Sequence, residues 1–398
     1  MADYKEIEAE LDKIIGTGSR YFNTLNFRRS ALTFVPNRSG TSTRYGVKGN
    51  WIIPDIPALS SACLRKAYFN GEWIEIGETV ETPYYSVKFC EDGSIASLYD
   101  KELGREWADG DFNKLKIYED CPGNYDAWDI LPNYRDKQAK ITVTKPLSLF
   151  EKDRECASFI TELKTEKSTW TMILRLFRRS RGIEVENIVF WNDKHKLAKA
   201  EFCCNVLSRK ALCDTSAGFI ERETHKNTTW QQARFEVCHH KWCDLSETNG
   251  GIALINDGKY GVGFDNNTIS LSLLRATIRP DVTSDMGKHN FCYMIMPHAD
   301  NAVQAEINDI AYQYNVPLVK SDAEYTGETF EPLYMQAMKT SEDGSMTVIR
   351  LSEQNGRRGT IVLDKSVRLL NMLEEVQGET SVIAYKPFEI LTIGIEKE

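Results

Sequence analysis

The sequence of 398 residues predicts an all-β protein organised around one large antiparallel sandwich. Three observations carry that prediction. From Tyr84 to His298 short apolar runs alternate with turn residues at a spacing of roughly ten residues. Across the same stretch no helical period intrudes for about two hundred residues, more than an ordinary two-sheet sandwich uses. The turns are marked by Asp92-Gly93, Asp109-Gly110, Asn249-Gly250 and Asp257-Gly258, dipeptides that adopt the positive φ a tight turn requires.

The length predicts two or three domains. Net charge is -9, with both signs mixed along the chain, which argues against nucleic acid or an anionic membrane surface as partner. No apolar run approaches ~18 residues, and Met1 to Glu10 is polar and unlike a signal peptide. The ten cysteines show no Cys-x-x-Cys pair and are read as reduced thiols, so a cytoplasmic location is expected. On that expectation the sequon Asn227-Thr228-Thr229 carries no weight.

Taken in order, Ile7, Leu11 and Ile14 stand at helical spacing before Gly16 and Gly18, predicting a short helix over residues 4–15. Residues 20–80 read as a small β unit, opened by Tyr21 to Arg29, punctuated by Pro36, Pro54 and Pro57, with a hairpin at Asn70-Gly71. Val87 and Phe89 alternate into Asp92-Gly93, and Ile95 and Leu98 return. Met172, Leu174 and Leu176 form one face of a strand, and Ile183 and Val185 open the next beyond Gly182. A second helix is predicted over residues 301–314, with Val303, Ile307, Ile310 and Tyr314 on one face and Pro317 as its stop. Lys320 to Thr329 read as a polar linker. Beyond Pro332 a small β-domain follows, with turns at Asp343-Gly344 and Asn355-Gly356 and a last strand alternating Leu391, Ile393 and Ile395.

Few residues suggest chemistry of their own. The sequence has six histidines. His298-Ala299-Asp300 has metal-ligand spacing, but Asp300 is better read as the cap of the second helix. His239 and His240 would point to opposite faces of a strand. No phosphate loop and no Gly-x-Ser-x-Gly elbow is present. Tyr125-Asp126-Ala127-Trp128-Asp129 is the leading binding candidate. It follows the loop residues Pro122-Gly123-Asn124, and it offers aromatic faces for stacking on sugars with carboxylates for their hydroxyls. The competing reading is a loop anchored by a buried Trp, with Asp capping backbone amides. Asn256-Asp257-Gly258 is read first as a turn, and Trp230 and Trp242 as core.

Several blocks, in order, resemble one known family. They are Tyr118-Glu119-Asp120, Tyr125-Asp126-Ala127-Trp128-Asp129-Ile130, Asn227-Thr228-Thr229-Trp230 and Lys241-Trp242-Cys243-Asp244-Leu245-Ser246-Glu247. Asn256-Asp257-Gly258-Lys259-Tyr260 and Leu273-Leu274-Arg275, with Pro280, Asp281, Asp285, Gly287 and His289, complete the set. Together they are similar to the C-terminal, β-rich half of glycoside hydrolase family 38, the α-mannosidases.

The resemblance implies a galactose-mutarotase-like supersandwich over residues 84–316, preceded by a helical-bundle remnant (1–18) and a small β-domain (19–83), and followed by a C-terminal β-sandwich (317–398). In the family the nucleophile and the zinc ligands lie on an N-terminal α/β domain, whose residues are not matched here. The implied role is to complete the sugar cleft of that separate domain with residues 121–130 and Arg275. Tyr125, Asp126, Trp128, Asp129, Arg275 and Asp285 are the implied substrate-binding residues, with Arg275 paired to Asp285 and bracing the cleft, or the two forming a purely structural ion pair. No catalytic or metal-binding residue is expected in this chain, and zinc is expected in the missing catalytic domain. The expected partners are a mannose-containing oligosaccharide and that catalytic half, with a homo-oligomer left open. The chain alone is expected to be inactive. The alternative is a free-standing carbohydrate-binding module; an epimerase of similar fold would instead need a His and a Glu converging in one sheet concavity.

Overall fold

A computed structural model describes residues 18–64, 71–327 and 329–397. The helix predicted over residues 4–15 lies outside them, as does Asn70 of the hairpin predicted at Asn70-Gly71.

The sandwich is all-β and double-sized. One sheet has ten strands, running in space from Val237–Cys238 through Gly261–Asp265, Thr268–Arg275, Lys196–Cys204, Ala108–Glu119, Ile95–Asp100 and Tyr85–Phe89 to Val80–Glu81 and Glu75–Ile76. Arg105–Glu106 pairs beside Ile95–Asp100. The other has nine, from Thr142–Lys152 through Cys156–Lys164, Thr169–Phe177, Ile183–Trp191, Gly287–His298, Gly250–Asn256, Trp242–Glu247 and Lys210–Thr215 to Gly218–Glu223. Every pairing is antiparallel. The core lies between the sheets, where Trp107, Phe112, Trp170, Trp191, Phe202 and Tyr293 are fully buried. Their rings meet edge to face, as Trp170 does with both Trp191 and Phe291. Tyr293 donates its hydroxyl hydrogen across the core to Asn113 at 2.7 Å.

Alternation and turn chemistry place most of these strands. Val87 pairs with Leu98 across the Asp92-Gly93 turn, where Gly93 has φ +83°. Met172, Leu174, Leu176, Ile183 and Val185 all face the core. Asp257-Gly258 is a turn too, but it carries the chain from the nine-stranded sheet to the ten-stranded one. Asp109-Gly110 is not a turn. It lies inside strand Ala108–Glu119, where the register slips between Ala108 and Phe112, so the glycine serves a bulge.

Smaller units pack outside the sandwich. Arg20–Phe22 pairs with Ser61–Cys63 on one side and Val319–Ser321 on the other, so part of the predicted linker returns as an edge strand. A three-stranded sheet of Thr33–Pro36, Ser42–Arg44 and Val47–Ile52 covers the outer face of the nine-stranded sheet. There a partly buried Arg44 reaches Glu184 at 2.7 Å, and Arg175 pairs with both Glu184 and Glu186, these last three fully buried. At the C-terminal end five strands follow the order Tyr334–Thr340, Met346–Ser352, Ile390–Glu396, Gly359–Leu370 and Val376–Tyr385, around Ile349, Leu351, Ile383 and Ile393.

Two helix expectations are corrected. The helix predicted over residues 301–314 spans Ile307–Asn315. Asp300 and Glu306 both take left-handed φ, and Asn301 closes a turn by accepting the amides of Val303 and Gln304. Asp300 is therefore not the cap. A short helix at Thr229–Ala233 interrupts the strands, held by a capping box between Thr228 and Gln231. It carries Trp230 outward, 75% exposed, against the expectation of a core residue, whereas Trp242 is buried as expected.

Candidate functional site

Adjacent strands set the site. Glu119 pairs with Lys196, and Leu197 with Arg275, so the segments 120–133, 192–195 and 276–286 all leave the ten-stranded sheet at one end. Trp191 pairs with Gly287 in the other sheet and closes the same end.

Loop 120–131 is tied at both of its ends. Asp120 is buried and accepts the Leu131 amide at 2.9 Å through Oδ1. Its Oδ2 meets Arg275 Nε at 2.5 Å, and Arg275 Nη2 donates to the Asp129 carbonyl. One guanidinium thus bridges the start and the end of a compact loop. Arg275 was expected to pair with Asp285. Instead Asp285 accepts the backbone amide of Arg275 at 3.1 Å and leaves the guanidinium to Asp120.

The middle of the loop is fixed separately. Asp126 is buried, and its Oδ2 accepts the amides of Ile278 and Arg279 at 2.6 and 3.1 Å. Tyr125 takes φ 57°, and its carbonyl accepts the amides of Trp128 and Asp129. A left-handed conformation at a bulky residue is uncommon and persists where the surroundings enforce it. The result is that Tyr125 and Trp128 stand 73% and 74% exposed on a clamped loop. Asp129 is exposed too, its Oδ1 accepting the Ile130 amide. So Asp caps amides as one reading expected, but Trp128 is no buried anchor.

The 276–286 segment forms the neighbouring wall. Asp285 has φ 56°, its carbonyl faces His289 Nε2 at 2.8 Å, and Val282 is exposed. Lys259 approaches from the 257–260 turn with Nζ over the Phe291 ring. Burial lowers the Lys259 pKa, and the charges of Asp285 and Asp257 partly offset this. Asn256 is the turn residue it was read as, accepting the amides of Gly258 and Lys259, and Asp257 accepts the Cys292 amide. Beside them a hollow of about 360 Å³ is lined by His240, Lys241, Asn256, Asp257 and Tyr260.

Sequence reasoning missed His195. Its amide donates to Ala276 and its carbonyl accepts from Asp120, so it joins the two loops. Nothing local in Asp193-Lys194-His195 signals this.

The outer face of the ten-stranded sheet holds buried polar groups that pair among themselves. Glu201 meets Lys116, Arg135, Tyr118 and Ser270, and Glu236 meets Lys199, Ser272 and Tyr134. No His–Glu convergence of the kind an epimerase needs is formed there. The histidines are dispersed: His298 faces Asp244 at 2.8 Å, His239 faces the Asn256 amide, and His225 faces Gln231. Among the described residues no three His, Cys, Asp or Glu side chains are grouped to hold a metal ion. All ten cysteines are free thiols, and no described helix is long and apolar enough to cross a membrane.

The sandwich that carries these loops has known relatives. The model of the glycosyl hydrolases family 38 C-terminal domain matches residues 80–283, just over half of the chain. This chain belongs to glycosyl hydrolase family 38. The family 38 C-terminal beta sandwich domain matches residues 333–393 as well. Alpha-mannosidase G of Dictyostelium discoideum is 32% identical over 354 residues, 79% of this chain and 32% of that protein. Human alpha-mannosidase 2C1 is 31% identical over 315 residues, 75% of this chain and 29% of that protein. The chain thus spans about a third of the length of these relatives. The crystal structure of an alpha-mannosidase from Enterococcus faecalis V583 superposes with a TM-score of 0.70 at 14% identity, covering 98% of this chain and 58% of that one. That likeness establishes the supersandwich fold within family 38.

Proposed function

We propose that this chain is the β-rich portion of an α-mannosidase and that loop 120–131 forms one wall of its sugar cleft. The observation that carries the proposal is the pair Tyr125 and Trp128, both exposed on a loop held by Arg275, Asp120 and Asp126. Clamping a binding loop before the ligand arrives removes ordering entropy from the binding step. Tyr125 and Trp128 supply faces for sugar rings, and Asp129 supplies an acceptor for hydroxyls. Asp126 acts by positioning, since its Oδ2 is occupied by backbone amides. The relatives named as α-mannosidases match this same stretch, which supports mannosides as the ligand class.

Bond cleavage is assigned to a family 38 catalytic domain. The dispersed histidines here do not fit the family's zinc, so no step is routed through a metal in this chain. Retaining hydrolysis also needs two carboxyl groups about 5 Å apart beside an open site. The buried carboxylates Asp120 and Glu201 are instead each held by arginine. Free thiols accord with a reducing, cytoplasmic setting.

The test uses an aryl α-mannoside with zinc supplied. The pure chain should give no turnover, and the same chain combined with a family 38 catalytic domain should hydrolyse it. Asp129→Ala should lower that activity. Turnover by the pure chain would overturn the assignment. Binding of α-linked mannobiose by the chain alone, measured by calorimetry, would favour a free-standing carbohydrate-binding module.

A further inference from the structure

We propose that His195 is a positioning residue for loop 120–131, holding it through Asp126, and that protonation of its imidazole tightens the hold. The inference rests on the sugar-cleft reading only for its consequence, not for the clamp itself.

His195 takes φ 51°, a left-handed turn pinned by its amide on Ala276 and its carbonyl on Asp120. That turn brings Nδ1 to 3.8 Å from Asp126 Oδ1. Both atoms are buried, and neither has a hydrogen-bond partner. The Asp126 side chain is 7% exposed, and its other oxygen already accepts two amides. A buried carboxylate oxygen without a donor is costly, and His195 Nδ1 faces it. With Nδ1 unprotonated, two acceptors oppose each other. With Nδ1 protonated, closing the gap by about 1 Å makes a hydrogen bond, and with the ring cationic that bond is charge-assisted.

The other carboxylates around the imidazole have partners of their own. On the strand before the loop, Glu119 pairs with Lys196. At the loop's start Asp120 pairs with Arg275, and burial raises the pKa of the Cys121 thiol. On its own turn, Asp193 accepts from Thr165 and Ser168, with Lys194 adjacent. From the 276–286 segment, Arg279 presents its amide to Asp126, and Asp285 accepts from Arg275. Asp126 is thus the carboxylate that faces His195. The cationic ring holds the Asp126 carboxylate more tightly than the neutral one, so acid favours the hold and rising pH loosens it.

The experiment needs no sugar. Trp128 is exposed whether or not the loop is held, so the readout is its mobility: the fluorescence anisotropy of Trp128, taken as the difference between the chain and Trp128→Phe, is followed from about pH 5 to pH 8. Anisotropy should be high in acid and fall as pH rises. His195→Gln keeps an amide donor toward Asp126 and should flatten the profile at high anisotropy. His195→Ala should leave anisotropy low throughout, and Asp126→Asn should abolish the step, with circular dichroism confirming that each variant is folded. A step that persists in His195→Gln, or no step in the parent chain, would overturn the clamp. A step that mannoside affinity does not follow would leave the clamp standing and count against the sugar-cleft reading.

Discussion

Arg275 and Asp120 meet at 2.5 Å across the throat of loop 120–131, and the same guanidinium holds the Asp129 carbonyl at the loop's far end. The two residues are 155 positions apart in sequence, so the loop's shape is set by the sheet rather than by the loop itself. Breaking a buried ion pair from one side leaves an uncompensated charge, at a cost of about 3 kcal/mol. Arg275→Ala should lower unfolding free energy by about that amount in urea denaturation, and should lower the fluorescence anisotropy of Trp128 as the loop gains mobility. Arg275→Lys keeps the charge but loses the fork, so it should restore only part of the loss.

Trp128 should behave in the opposite way. Its side chain is exposed, so Trp128→Ala should change stability by no more than about 0.5 kcal/mol. A stacked aromatic is worth about 1 kcal/mol, so α-mannoside affinity should fall about fivefold. Parallel denaturation and calorimetry separate these two outcomes.

The leading β unit is fastened by Arg44 and Arg175 against Glu184 and Glu186. Burial and the charge of Glu184 push the Glu186 carboxyl upward, against the pull of Arg175. Arg175→Met would leave Glu186 without its cation and should cost about 3–5 kcal/mol. The loss is to be read as a lowered midpoint in chemical denaturation. Replacing Arg175, Glu184 and Glu186 together by apolar residues should recover much of it.

Two buried groups give the chain opposing pH dependences. Burial raises the Asp309 carboxyl to about 6, so the folded state keeps a proton that the unfolded chain releases near 4. That contribution to stability is present below about pH 4 and is lost as pH climbs to about 6. Burial lowers the His239 imidazole to about 4, so its contribution is present above about pH 6.5 and is lost as pH falls toward 4. Between these limits the two slopes offset each other. Asp309→Asn retains an acceptor for the Tyr334 hydroxyl and removes one slope. Its stability should rise with pH from about 4 to 6.5, and it should exceed the parent by about 3 kcal/mol at neutral pH. Urea titrations at four pH values check both statements.

What could be read from the sequence was local. The hairpin of Val87, Phe89, Ile95 and Leu98 was legible because period-two alternation flanks an Asp-Gly turn. That a loop follows Asp120 was legible from Pro122-Gly123-Asn124, whereas the exposure of Trp128 was one of two readings the residues allowed. The capping box of Thr228 and Gln231 is also written in the sequence, and it starts the helix that turns Trp230 outward. Other features depend on contacts across the fold. Asp109-Gly110 carries the same dipeptide signal whether it makes a turn or a bulge, and only the pairing with Lys196–Cys204 decides between them. The helix starts at Ile307 because Asn301 and the left-handed Glu306 claim the preceding residues. The choice of Asp120 over Asp285 as the partner of Arg275, and the placement of His195 over Asp126, follow from which strands are neighbours.

The most direct test measures kcat/KM for an aryl α-mannoside in an enzyme that pairs a family 38 catalytic domain with this chain, with and without Tyr125→Ala and Trp128→Ala together. If loop 120–131 is a wall of the sugar cleft, the double variant remains folded and kcat/KM falls at least about tenfold. An unchanged kcat/KM in the folded double variant would contradict the account.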